Sequence, residues 1–537
     1  MKRLSFIFLA ILMLGSVVAC AKDKNVYITW NGNKVTVKGD KIDSLKVKTD
    51  GGRVVVKNDI ESKMLTFVLS GKTDAGSFEY KGKHKATFLL DGLTMNSTDS
   101  VPINLKNKKK NIVILNKTNT LTVSADTLDA ALLSVKGKLT IEGDGSLSLK
   151  SATVGCKGIK VGEDLVMNSG TVDIETSGNY VEVDANPFGG FGGPPPGMFG
   201  GEGEGFGPPQ GFGPPQGGDG NGGSPFGGGN FPFPEGMNLD SLMKMGPPAG
   251  FGGFGHQDGE EGEGGFGGGM PFGKQKYNGS SKGVRVVNTI TINGGKLSIK
   301  TSAPGAEGLE GKKGVTINGG EVNIVAKDDA INSSGMIIFN GGKVSAVSIG
   351  NDAVDSNSQQ QGAISICGGE VSVASLIGPP EEGFDCDFSP IVVSGGKAIS
   401  MGGSMGGSPS VPNAKTASQP TVVINGIDYT KDHVMTIVDE KGKTVFTYCP
   451  QYSQKGSHSL ITCPDFKVGQ NYKVMIDGEA VHEFTFKDNF TTVGESGGGF
   501  PFGGGFPFGG DGGGFPGGGF PGGGFPGGAP NRGQPQK

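Results

Sequence analysis

Apolar and polar residues alternate with period two through short bursts along the chain, the pattern of strands with one buried face. Leu297/Ile299 and Val322/Ile324 are examples. The bursts share a template: Ile292-Asn293-Gly294-Gly295-Lys296-Leu297-Ser298-Ile299, then Ile317-Asn318-Gly319-Gly320-Glu321-Val322-Asn323-Ile324, then Phe339-Asn340-Gly341-Gly342-Lys343-Val344. Ile366-Cys367-Gly368-Gly369 and Val393-Ser394-Gly395-Gly396 continue it, and Met167-Asn168-Ser169-Gly170 precedes it. The second glycines stand at 295, 320, 342, 369 and 396, at intervals of 25, 22, 27 and 27 residues.

Each unit reads as strand, tight corner, strand. Glycine supplies the positive φ that the corner needs. One unit cannot bury its own apolar face, so the units must stack. Units of this length with no helical pattern between them predict an all-β chain built on a parallel β-helix. Propeller blades need about 40–45 residues each, and the leucine-rich signature is absent. Less regular units at Phe67-Val68-Leu69, Phe88-Leu89-Leu90, Ile112-Val113-Ile114 and Leu139-Thr140-Ile141 extend the series upstream, for about ten rungs over residues 60–405.

Composition changes the picture in two places. The 537 residues include 102 glycines and 31 prolines, concentrated in 185–275 and 496–537. Such Gly/Phe/Pro material cannot bury a core and is expected to be disordered. The first segment interrupts the helix, dividing it into 61–184 and 276–405, and leaves and re-enters it at one corner; both segments are expected to be spacers, with weak self-association open to them. Residues 420–490 alternate like sandwich strands and predict a small C-terminal β domain capping the last rung.

At the other end, Lys2 and Arg3 followed by an apolar run read as a signal peptide over 1–19. Val17-Val18-Ala19-Cys20 has the form of a bacterial lipobox. Cys20 is therefore the expected lipidation site, with 20–60 as tether and first strands. The implied location is the bacterial outer membrane or cell surface, with membrane contact through the lipid alone. The net charge of −4 and the absence of a distinct basic domain argue against nucleic acid as a partner. The remaining cysteines show no metal spacing. Cys449 and Cys463 leave a disulfide open, and Cys156, Cys367 and Cys386 read as buried small hydrophobes.

The candidate chemistry lies in a second motif, charged–small–apolar–charged, at a fixed offset before each corner. Its copies are Lys157-Gly158-Ile159-Lys160, Lys282-Gly283-Val284-Arg285, Glu307-Gly308-Leu309-Glu310, Asp329-Ala330-Ile331-Asn332, Asp352-Ala353-Val354-Asp355 and Glu382-Gly383-Phe384-Asp385. Asp328, Asn351 and Asp387 add oxygens beside it. The apolar third residue should point inward and the fourth outward, while the small second residue permits a bend that brings the first out too. Stacking places equivalent residues about 4.8 Å apart. Bare carboxylates at that spacing repel, and calcium, which takes oxygens at about 2.3–2.6 Å, removes the cost. The oxygen set suits calcium better than zinc or copper.

These ordered motifs, each before an Ile-x-Gly-Gly corner, resemble the bacterial calcium-binding β-helix lipoproteins known as carbohydrate-binding domain-containing proteins, whose fold is pectate-lyase-like. The resemblance implies calcium at Glu307, Glu310, Asp328, Asp329, Asp352, Asp355 and Asp385, and binding of cellulose-like or acidic sugars without established catalysis. The long insertion and Asn332, which replaces a carboxylate, depart from that pattern. Three function classes follow. A polysaccharide binder would use calcium and the basic residues Lys157, Lys160, Lys282 and Arg285 for an anionic sugar. A polysaccharide lyase would need Lys282 or Arg285 as base. A calcium-stiffened surface rod would need no sugar.

Overall fold

The computed structural model describes residues 25–39, 42–59, 65–178, 280–404 and 410–494. Cys20 with its leader, the 185–275 insertion and the 496–537 tail lie outside the described residues.

Period-two alternation becomes a right-angled choice at every strand: one face to the core, one to solvent. The strands wind into a parallel β-helix of about nine turns, close to the expected ten. Each full rung contributes three strands, for example Leu309–Gly311, Gly314–Ile317 and Glu321–Ala326. Successive rungs pair in parallel, Lys296–Thr301 on Glu321–Ala326 and that on Lys343–Ser348. Inward residues therefore form columns. Leu297, Val322, Val344 and Val371 make one, and Ile299, Ile324, Ala346 and Val373 another, all buried. Each large member contributes about 1.5–3 kcal/mol of burial.

The Gly-Gly corners stack as the spacing requires. Gly295, Gly320, Gly342 and Gly369 all hold φ of +81 to +85°. A Cβ on Gly320 would lie 2.7 Å from the Gly295 carbonyl oxygen of the rung before. The asparagines ahead of them form a ladder: Asn293 donates to Asn168 at 3.0 Å, Asn318 to Asn293 at 2.8 Å and Asn340 to Asn318 at 2.8 Å.

The helix starts earlier than residue 60. Asn25–Asn31 already pairs in parallel with Thr66–Thr73, and Lys34–Gly39 folds back on it as an antiparallel edge. Val26, Ile28 and Trp30 plug this end, with the Trp30 indole donating to Gly52 O at 2.7 Å. The chain's one tryptophan is thus core. At the other end, Gln454–Thr462 lies antiparallel on the last-rung strand Lys397–Met401 and carries Thr421–Tyr429 with it. A second sheet of four strands, Thr444–Tyr448, Met435–Asp439, Asn471–Ile476 and Glu479–Thr485, completes the cap.

One outward column records where the cap sits. It runs Lys150, Glu175, Lys300, Val325, Val347, Ala374, Met401. The change from charged to apolar falls where Val347, Ala374 and Met401 join the cap's own core around Ile424 and Phe446.

The described residues on either side of 179–279 meet at one corner. Ser281 Oγ donates to Gly178 O at 3.2 Å, and Thr176 Oγ1 donates to Ser281 O at 2.6 Å. The disulfide left open between Cys449 and Cys463 is absent, and one cysteine expectation, the burial of Cys367, is corrected. Cys449 and Cys463 are free thiols, Cys449 exposed and Cys463 buried with its thiol toward Val445 O at 3.7 Å. Cys367 is exposed, because it occupies the outward asparagine column, whereas Cys156 and Cys386 are buried as expected.

Candidate functional site

The short strands of successive rungs form one face. The inward column Ile159, Val284, Leu309, Ile331, Val354, Phe384 is buried throughout. Beside it runs the outward column Lys160, Arg285, Glu310, Asn332, Asp355, Asp385. The first motif residues also align. Gly283 N donates to Glu307 O at 3.0 Å, Gly308 N to Asp329 O at 2.9 Å, and Ala353 N to Glu382 O at 3.1 Å. These bonds put Lys157, Lys282, Glu307, Asp329, Asp352 and Glu382 in a second column.

The small residue between them has a reason other than a bend. A Cβ at Gly158, Gly283 or Gly308 would lie 2.3–2.4 Å from the Cγ2 of Ile174, Ile299 or Ile324. Glycine makes room for the isoleucine of its own rung. The column admits Ala330 and Ala353 in rungs whose long strands carry Ala346 and Val373 at the aligned position.

Charge along this face changes sign between two rungs. Lys282 Nζ lies 2.7 Å from Glu307 Oε1 and 2.9 Å from Glu310 Oε2. Lys312 Nζ reaches Glu310 Oε1 at 2.6 Å, and Arg285 Nε stands 3.6 Å from Glu310 Oε2. Burial pulls the Lys282 ammonium down, but Glu307 and Glu310 outweigh it and hold the group above the usual lysine range. Burial likewise pushes the carboxyls up, and the cations win at Glu310, which stays below its usual value, while Glu307 rises to about 7. Lys282 is therefore a structural counter-ion and is held protonated at neutral pH. Lys157 is also buried, its ammonium 3.4 Å from Asp129 Oδ1 and 3.4 Å from Gly155 O. Of the four basic candidates, Lys160 and Arg285 stand in the outward column and the other two are enclosed.

Beyond that junction the face is acidic. Asp329 is 4 % exposed; its Oδ2 accepts from Asn332 at 2.7 Å and its Oδ1 has no hydrogen-bond partner. Asn332 also donates to Asp355 Oδ2 at 2.9 Å, as does Asn357 at 2.9 Å. Asp352 accepts from the Glu382 amide, and Asp385 from Ser410 at 3.1 Å. Burial raises all four aspartates, and their neighbours add to it. Asp329 is lifted further by Asp328 and Asp355, Asp355 by Asp385 and Asp387, Asp385 by Asp387, and Asp352 reaches about 9. Glu381, which the motif did not include, is raised by burial and Asp385. Asn351 sits at the corner before Asp352 with its backbone N bonded to Ser348 Oγ at 2.9 Å, and Asp387 is exposed.

Among the described residues, no three Asp, Glu, His or Cys side chains converge as a ready metal cage. The donor chemistry nonetheless fits a hard cation. The set is all oxygen, it includes one orphaned buried carboxylate oxygen, and rotation of the Asn332 amide would offer a further oxygen between Asp329 and Asp355. A divalent ion reverses the pKa logic of such a cluster, favouring the ionised form.

The sequence model of the carbohydrate-binding domain-containing protein family matches residues 50–186, 270–353 and 305–432. The last two matches overlap, as a model laid along a repeating coil does. One solved structure, described as a polysaccharide lyase-like protein from C. thermocellum in a gadolinium derivative, matches at 16 % identity, covering 70 % of this chain and 93 % of that one with a TM-score of 0.30. That likeness is too distant to bear on function. No curated protein matches the chain.

Proposed function

The chain belongs to the carbohydrate-binding domain-containing protein family, and from that premise we propose that it binds polysaccharide through a calcium-loaded acidic face of the coil, with acidic, plant cell-wall-type chains as the favoured ligands. The observation that carries the calcium is the enclosed aspartate group: Asp329 with an unpartnered oxygen, next to Asp352 and Asp355, all raised by burial and mutual repulsion. Burying carboxylates without counter-charge is costly, and a bound cation offsets that cost.

Asp329, Asn332, Asp352 and Asp355 would hold the ion, with Asp328 and Asn351 beside them and Glu382, Asp385 and Asp387 on the next rung. Calcium takes six to eight oxygens, so positions remain for water or for a sugar carboxylate. When bound, the ion supplies a bridge between protein and uronate carboxylates. Glu307 and Glu310 are committed to Lys282 and serve the site by closing its basic end. The test is binding of polygalacturonate in calcium and in EDTA. The reading expects tighter binding in calcium than in EDTA, and the same weakening in Asp352→Ala/Asp355→Ala measured in calcium; equal affinity in all three would overturn it.

The same reading places the protein at the bacterial surface through lipidated Cys20, supported by the Val17-Val18-Ala19-Cys20 motif. Cys20→Ala should move the protein from the membrane fraction to the soluble one. Unchanged fractionation would count against the anchor.

A further inference from the structure

The corner that follows the short strands carries a feature outside the acidic motif. Lys57 pairs with Lys81 in the parallel register. Lys106 N donates to Tyr80 O at 2.8 Å and Lys136 N to Leu105 O at 2.9 Å, so Lys106 stands on Lys81 and Lys136 on Lys106. Four lysines from four successive rungs thus form one column, about 14 Å long at the spacing of paired strands. Lys83, Lys85, Lys108, Lys109, Lys110 and Lys138 crowd the same corner, and all ten are exposed. The carboxylates beside them are few. Glu79 is shared by Lys81 at 2.5 Å and Lys106 at 2.7 Å, and Asp164 holds Lys138 at 2.7 Å.

Two observations separate this corner from a merely solvated run of charge. Its backbone is clamped from within by buried asparagines. Asn107 donates across rungs to His84 O at 2.9 Å, and Asn111 donates to Lys109 O at 2.9 Å and across rungs to Lys138 O at 3.2 Å. A Cβ on Gly137 would lie 2.5 Å from Lys109 O, so the next corner presses directly on this one. The lysines also line an indentation: Lys57, Asp59, Lys81, Gly82, Lys83 and Lys106 surround a shallow cleft of about 190 Å³.

We propose that this corner is a docking strip for a polyanionic polysaccharide, a glycan bearing a carboxylate or sulfate on successive sugars, laid along the coil axis. The strip rests on the polysaccharide reading but needs no calcium. A rigid column presenting one cation per rung matches a linear polymer with charge at each repeat. A glycan is favoured over nucleic acid by the carbohydrate-binding family to which the chain belongs, and duplex DNA enters the test as the competing occupant.

The test uses the full chain and the variant Lys81→Gln/Lys106→Gln/Lys136→Gln, with thermal unfolding to show that the variant is folded. Probes are polygalacturonate, dextran sulfate, neutral dextran and duplex DNA, each titrated at rising salt, with and without EDTA. Polygalacturonate or dextran sulfate should bind the wild type in EDTA. The variant should lose about tenfold in affinity, and its log K against log salt slope should flatten by about 2, for three charges removed from contact with a flexible polyanion. Equal binding by variant and wild type, or no binding of either anionic glycan to the wild type, overturns the strip. DNA binding as tight as that of the glycans, with the same lysine dependence, overturns the sugar assignment. Binding that EDTA abolishes and the lysine variant keeps would leave the acidic face as the site and remove the strip; the reverse result keeps the strip and removes calcium bridging.

Discussion

Asn332 donates its side-chain amide to the Asp355 carboxylate of the next rung at 2.9 Å, while the same nitrogen reaches Asp329 at 2.7 Å. One neutral amide therefore sits between two buried acids, at the position where neighbouring rungs carry Glu310 and Asp355. Asn332→Asp removes the donor and adds a third carboxylate. In EDTA it should destabilise the protein by about 1–3 kcal/mol, the cost of leaving buried acceptors unsatisfied. In calcium the deficit should shrink, because the new oxygens are ligands. Urea unfolding in the two buffers checks this, and a deficit that calcium leaves unchanged would count against it.

The raised aspartates fix the sign of the pH dependence. A carboxyl whose folded pKa exceeds its unfolded value binds more protons in the native state. It therefore contributes stability below the unfolded pKa, about 3.9, that is lost as pH rises through the folded pKa. With Asp352 at about 9, the metal-free protein should lose stability between pH 4 and 9. Calcium needs ionised ligands, so its stabilisation should grow over the same interval and be accompanied by proton release. Melting curves across this range in EDTA and in calcium decide the matter; parallel profiles would argue against a cation at these residues.

Lys282 closes the basic end of the face, and its removal strands buried Glu307 while Glu310 keeps Lys312 and Arg285. Lys282→Met should cost about 3–5 kcal/mol, the usual penalty for breaking a buried pair from one side. Lys282→Met/Glu307→Met should recover part of that loss. Denaturant midpoints of the two variants measure it, and a single variant as stable as wild type would contradict it.

The stacking itself is tested at a corner. Gly320 has φ +84° and no room for a Cβ above the Gly295 carbonyl. Gly320→Ala should destabilise by more than the roughly 1 kcal/mol that Gly/Ala exchange changes at ordinary sites. Gly442→Ala, at a positive φ in open space, serves as the control for backbone strain alone.

The sequence made the coil readable because each Gly-Gly corner must align with the next, so Gly295, Gly320 and Gly342 mark the rungs by themselves. The acidic column was readable for the same reason: Asp352-Ala353-Val354-Asp355 repeats at a fixed distance from those corners. Burial of the flanking cations was not readable. Lys157 and Lys282 look like Lys160 and Arg285 in the motif, and only the packed coil shows that the first position turns under its neighbours. The lysine column escaped because its members, Lys57, Lys81, Lys106 and Lys136, lie 24, 25 and 30 residues apart in rungs without the Gly-Gly marker. Within the chain they blend into Lys108-Lys109-Lys110, which reads as solvated charge. Trp30 gave no sign of its role either, since a lone tryptophan in an alternating strand fits a platform or a plug equally well.

Thermal unfolding of the full chain in EDTA, in millimolar calcium and in millimolar magnesium is the most direct test of the acidic face. A ligand that binds only the native state stabilises it by RT ln(1 + [L]/Kd), about 2.7 kcal/mol at a hundredfold excess over Kd. The account predicts that EDTA lowers the melting temperature and that calcium restores it. Magnesium should not, because it demands octahedral geometry and keeps its waters. Asp352→Ala/Asp355→Ala should fold and melt alike in all three buffers. A wild-type protein that melts at one temperature in EDTA and in calcium would contradict the account, leaving the aspartates as an uncharged, protonated part of the coil.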